Sequence, residues 1–142
     1  MAKTEKAKTE KAKPEKAKPE KRATKSKRIP AQVTHAVAAA DDKQAVNLVL
    51  LDLRKSAGFT DFFVIASGTN TRQVRAIADG VIERLAEEGV KPSYIEGYDR
   101  SEWILLDYFD FIVHVFAPET RVFYDLERLW GNAERTEVSA AR

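Results

Sequence analysis

Between Tyr94 and Trp130 the chain reads YIEGYDRSEWILLDYFDFIVHVFAPETRVFYDLERLW, a stretch that holds both tryptophans. Two strand-like runs, Glu102 to Tyr108 and Asp110 to Pro118, abut with almost nothing between them, so they are expected to pair antiparallel as a hairpin. If Asp107 faces Asp110, Leu105 lies opposite Ile112 and Trp103 opposite His114. Side chains alternate across a strand, which sorts the hairpin into two faces. Ile104, Leu106, Phe111, Val113 and Val115 make one face that is apolar throughout and must be core. Trp103, Leu105, Asp107, Asp110, Ile112 and His114 make the other, where an aromatic, a histidine and two carboxylates sit together. That second face is where function is to be sought.

The rest of the chain divides by charge. A net charge of +2 over 142 residues conceals a basic beginning and an acidic remainder. Residues 1–28 carry twelve Lys or Arg against four Glu, and residues 29–142 carry twelve basic against eighteen acidic side chains. The first part is a low-complexity repeat, KTEKA twice, then KPEKA and KPEK, ending in KRATKSKR, with no large hydrophobe except Met1. Such a segment cannot build a core and reads as a disordered tail, and the domain is expected over residues 29–142, flexible from about 132. Lys21, Arg22, Lys25, Lys27 and Arg28 form the basic patch that could meet nucleic-acid phosphates; a merely solubilising extension fits equally. With no cysteine, neither a disulfide framework nor a thiolate metal site is available. No apolar run is long enough to span a membrane, and no secretory signal is present, so the reading is a soluble, cytoplasmic protein.

Val33, Ala36, Val37 and Ala40 recur at helical spacing to about Lys43. Asn47 to Arg54 and Asp61 to Ala66 are nearly continuous apolar runs, the signature of buried strands. Asn70 or Thr71 caps a helix that buries Val74, Ile77, Ala78, Val81 and Leu85 and ends at Gly89. Pro92 to Tyr98 reads as a short strand before the hairpin. Pro118 starts a last helix with Phe123, Leu126 and Trp130 on one side, stopped by Gly131. The expected fold is α+β, a sandwich with a mixed sheet of about five strands flanked by helices.

Catalytic equipment is sparse. Gly68 lies between a strand and a helix, but neither GxGxxG nor a Gly-Lys-Ser/Thr sequence follows, so the turn offers anions only a helix N-terminus. One mid-strand histidine, His114, with two acids falls short of a zinc site. Asp107 and Asp110 flank a turn rather than a pocket, which argues against an acid/base pair. No cofactor is expected. As a binding surface the same region is well supplied: Trp103 and Tyr98 are aromatic anchors beside Glu96, Asp107 and Asp110, suited to arginines or lysines on a partner. The competing reading half-buries Trp103 under the last helix.

At these residues the chain resembles the ribosomal silencing factors, also called the Iojap-related family. The resemblance covers about residues 33–131 and is carried by Thr60-Asp61-Phe62-Phe63-Val64-Ile65-Ala66-Ser67-Gly68, Gln73-Val74, Glu96-Gly97-Tyr98, Trp103, Leu106-Asp107, Val113-His114-Val115-Phe116 and Tyr124 to Trp130. It implies a nucleotidyltransferase-like shape without that active site. It implies binding to the large ribosomal subunit through its protein of the L-fourteen type, at the inter-subunit face, where a seated factor blocks joining of the small subunit. Glu96, Tyr98, Trp103, Asp107, Asp110 and His114 are then the expected partner-binding residues. Roles in large-subunit assembly and self-association into a homodimer are also implied for members. Phe109 departs from the pattern, standing where the family has glycine, and a two-residue turn with positive φ accommodates phenylalanine poorly. The Lys/Pro/Glu tail has no counterpart in the family.

Overall fold

The structure, a computed structural model, describes residues 28–56 and 58–138. The tail with Lys21, Arg22, Lys25 and Lys27 lies outside the described residues; Arg28 is exposed. Among the described residues six strands and four helices follow one another. They are α1 (Ala31–Asp42), β1 (Val46–Asp52), β2 (Phe62–Ser67), α2 (Thr71–Ala86), β3 (Tyr94–Glu96), β4 (Trp103–Asp107), β5 (Phe111–Phe116), α3 (Pro118–Tyr124), α4 (Leu126–Leu129) and β6 (Glu134–Glu137). They form one mixed sheet in the order β3-β4-β5-β2-β1-β6, in which β5 and β2 run parallel and every other pair antiparallel. This is the expected α+β architecture with one strand more than expected. That strand, β6, lies where flexibility from residue 132 was expected: Glu134 to Glu137 pair with Asp52 to Val49, and Val138 donates to the Leu48 carbonyl at 2.8 Å.

Strand alternation gives the sheet two apolar faces. On one, Leu48, Leu50, Phe62, Val64, Ile104, Leu106, Phe111, Val113 and Val115 pack against α1 and α2, which contribute Val33, Ala36, Ala40, Val74, Ile77, Val81 and Leu85. The α2 residues are the i, i+3, i+4 stripe read from the sequence, and all are buried. Asn70 caps α2, its side-chain oxygen accepting from the Gln73 N–H at 2.9 Å. On the other face Val49, Leu51, Phe63, Ile65, Ile112 and Phe116 form a second cluster, roofed by Leu126, Trp130 and Ala133. Trp103 and Leu105 join that cluster only half-buried.

The hairpin forms, two residues out of the expected register. Asp107 pairs with Ile112, Leu105 with His114 and Trp103 with Phe116. A shift of two preserves parity, so the division into faces is unchanged. The cause is the turn. Phe109 takes φ 74°, the Asp110 N–H donates to the Tyr108 carbonyl at 2.9 Å, and Asp107 Oδ1 accepts from the Phe109 N–H at 2.8 Å. Asp110 therefore belongs to the turn and faces no strand partner.

The last helix also departs from expectation. Asp125 adopts a left-handed conformation, φ 50°, and splits it into α3 and α4. Leu126 and Trp130 turn inward, whereas Phe123 is 78% exposed. Aspartate tolerates this backbone better than most residues because its short polar side chain can bond locally.

A candidate docking groove

Trp103 opens β4 and faces away from α1 and α2. Its indole packs on Phe116 at 4.9 Å and on Tyr124 at 4.6 Å between ring centroids, and its Nε1–H donates to His114 Nδ1 at 3.1 Å. Beside it, β3 pairs so that Glu96 lies opposite Leu105 and Tyr94 opposite Asp107, placing Glu96 and Tyr94 on Trp103's side of the sheet. Gly97 then takes φ 82° and approaches so closely that a Cβ would lie 2.0 Å from the Trp103 carbonyl oxygen; only glycine fits. The returning loop brings Arg100 and Glu102, and α3 supplies Glu119, Phe123 and Tyr124. Together they line a groove of about 610 Å³ with Trp103 on its floor. Three carboxylates face one guanidinium, and Arg100 is drawn to Glu102 at 3.4 Å in a solvent-exposed pair. The groove is acidic, aromatic and open. Exposed Val122 and Phe123, both at 78%, extend its apolar rim along α3.

Of the six residues expected to contact a partner, Glu96 and Trp103 line this groove. The other four do not. Tyr98 crosses to the opposite side, where its hydroxyl donates to Asp79 Oδ1 on α2 at 2.9 Å and the Arg75 guanidinium lies 5.2 Å from its ring. The φ of Gly97 turns the chain and sends this side chain away. His114 is 3% exposed, sealed between Trp103, Phe63 and Phe116, so it supports Trp103 rather than reaching a partner. Burial pushes its pKa down to about 3, and it is neutral at physiological pH. Because Nδ1 accepts from the indole, the imidazole proton resides on Nε2, which has no hydrogen-bond partner among the described residues. Asp107 shares Trp103's face but ends β4, roughly 13 Å along the strand from Trp103, and its carboxylate is engaged with the turn. Asp110 sits in that turn. Burial raises its carboxyl pKa, and its carbonyl accepts from the Asp61 N–H at 2.9 Å.

Glu102, Glu119, Phe123 and Tyr124 were missed. In the structure α3 exposes apolar residues beside a buried Arg121, the reverse of an ordinary surface helix, so apolar periodicity gave no signal for this wall.

A second cavity, about 460 Å³, lies beyond the ends of β2 and β5, around Ser67, Gly68, Thr69 and Arg121. This is the Gly68 turn considered for phosphate. Arg121 there is already held by Glu127, through Nε at 3.2 Å and Nη2 at 2.8 Å, and Asp125 and Glu137 add further negative charge. The cavity is poorly suited to an anion. Among the described residues no group of His, Asp or Glu could hold a metal ion, and no helix is long and apolar enough to cross a membrane.

Fold and groove together describe a small α+β domain with an open acidic, aromatic groove on one face of its sheet. The family model described as "Ribosomal silencing factor during starvation" matches residues 24–142. The chain belongs to that family. It is 40% identical over 103 residues to the ribosomal silencing factor RsfS of Halalkalibacterium halodurans, spanning 72% of this chain and 88% of that protein. It is 31% identical over 91 residues to the mouse protein named mitochondrial assembly of ribosomal large subunit protein 1, spanning 62% of this chain and 40% of that one. A crystal structure from Chromobacterium violaceum superposes with a TM-score of 0.71 at 34% identity, covering 81% of this chain and 97% of that one. The relatives carry the names of regulatory and assembly factors, not of enzymes.

Proposed function

We propose that this protein represses translation by seating on the inter-subunit face of the large ribosomal subunit, through its L-fourteen-type protein, and so sterically blocking the small subunit. The observation that carries this reading is the groove between β4 and α3, where Trp103, Phe123 and Tyr124 stand among Glu96, Glu102 and Glu119. Aromatic anchors supply binding energy and the carboxylates select and steer a basic partner. Ribosomal proteins and rRNA-flanking loops are rich in lysine and arginine, so the charge is of the complementary sign. The action requires occupancy alone, with no cofactor and no chemical step. In the cytoplasm it would withdraw large subunits from initiation. The basic patch Lys21, Arg22, Lys25, Lys27 and Arg28 would add contact with rRNA. Deleting residues 1–28 should then flatten the salt dependence of binding.

The test is subunit joining. Purified protein added to separated subunits should shrink the joined-ribosome peak on a sucrose gradient, and an unchanged peak refutes the reading. A role in large-subunit assembly is the second reading, favoured by the similarity to the mouse assembly protein. Under that reading, loss of the protein accumulates immature large-subunit particles, whereas mature subunits persist under simple silencing.

A further inference from the structure

We propose that the buried ion pair between Arg121 and Glu127 is a positioning device for the docking groove, holding the corner between α3 and α4 at the angle that raises Tyr124 and Phe123 as the groove's outer wall. The inference rests on the docking reading above and assigns a role to residues that line no part of the groove.

Arg121 is 8% exposed and reaches inward from α3, the helix whose next two residues, Val122 and Phe123, are each 78% exposed. Its guanidinium grips both carboxylate oxygens of Glu127, at 3.2 and 2.8 Å, and donates through Nη1 to Ser67 Oγ at the end of β2, 2.9 Å away. Arg135 on β6 approaches the same carboxylate at 3.4 Å. The pair thus ties α3 and α4 to each other and, through Ser67, to the centre of the sheet. Between its partners lies Asp125, a non-glycine residue in the left-handed region at φ 50°. Such a residue persists only where its surroundings hold it. One residue before it, Tyr124 packs on Trp103 at 4.6 Å and on Phe123 at 5.0 Å, edge to face.

An apolar pair could fill the same space. Buried ion pairs lose in desolvation much of what they gain in attraction, and hydrophobic replacements of similar volume are often neutral or stabilising. Apolar side chains, however, lack the directionality of a two-point guanidinium–carboxylate contact. What the pair contributes is geometry. Glu127 is held below the usual carboxylate range, first by its hydrogen bond from Arg121, so the contact survives mild acid.

The experiment uses the full chain with Arg121→Met and Glu127→Leu combined, beside Trp103→Ala, in a kinetic assay of binding to purified large subunits. The expected double variant melts near the wild-type temperature, associates at the wild-type rate with the same salt dependence, and dissociates about tenfold faster, the pattern of a disturbed short-range fit with intact steering. Near-ultraviolet circular dichroism should also change as the Tyr124–Trp103 contact loosens. Dissociation within twofold of wild type, with Trp103→Ala impaired, overturns the positioning role and leaves the docking reading standing. Unimpaired binding by Trp103→Ala overturns both. A melting temperature lowered by about 15 °C or more in the double variant would make the pair a stability element and likewise overturn the proposal.

Discussion

The indole N–H of Trp103 donates to Nδ1 of His114 at 3.1 Å, so a half-buried aromatic at the surface is fixed by a histidine inside the sheet. The histidine must be neutral to accept, and burial keeps it so, with a pKa near 3. In the unfolded chain the same group titrates near 6.5. Between those values the unfolded state binds the extra proton, so this contribution is complete above about pH 6.5 and is lost progressively as pH falls toward 3. Replacing His114 with Leu should cost about 1–2 kcal/mol at pH 7 through the lost hydrogen bond. It should also flatten the acid limb by up to one proton, about 1.4 kcal/mol per pH unit. Urea unfolding at several pH values measures both.

Glu96, Glu102 and Glu119 face the groove with one arginine among them. Converting all three to Gln removes steering while leaving the aromatic floor in place. Association with large subunits should slow about tenfold at low salt, and the slowing should shrink as ionic strength rises. The melting temperature should be unchanged. Stopped-flow binding across a salt series reads the effect.

Gly97 carries the loop from β3 back to Trp103 at φ 82° with no room for a methyl group. Gly97→Ala should destabilise the fold by more than about 1 kcal/mol from backbone conformation alone. Its steric conflict is with a backbone carbonyl, which cannot swing aside. Thermal melts should show the loss, and docking should weaken with it.

Phe109 occupies a left-handed position, φ 74°, with its ring 74% exposed. Such a conformation costs a bulky residue roughly 1–2 kcal/mol, and the exposed ring recovers little by burial. Phe109→Gly should therefore raise stability by about 1 kcal/mol, an unusual direction for a large-to-small change. Differential scanning calorimetry would detect it. A lower melting temperature would mean that the ring packs more usefully than its exposure implies.

The two faces of the hairpin were legible because alternation depends only on parity. The register was not, because Phe109 accepts a strained turn that glycine would adopt freely, and nothing in the apolar pattern distinguishes the two pairings. Glu134 to Glu137 gave no strand signal. All four side chains are exposed, and the segment is a strand solely through its backbone pairing with β1. Tyr98 was grouped with Trp103 as an anchor, but Gly97 redirects the chain between Glu96 and Tyr98, and periodicity does not survive such a residue. The groove's second wall was hidden by Asp125: a helix continued through it would point Phe123 inward with Leu126 and Trp130.

That plain terminal strand has a practical bearing. By pairing with Val49 to Asp52, β6 covers the hydrogen-bonding edge of β1, whose Leu50 and Leu51 lie in the two cores. A chain shortened before Glu134 would keep nearly all of its apolar packing yet present β1 as a bare template for a strand from another molecule. The residues of β6 are Glu, Arg, Thr and Glu, charges that let the outermost strand meet solvent without recruiting a further one. The open edge of β1 is thus closed by four residues that belong to neither core.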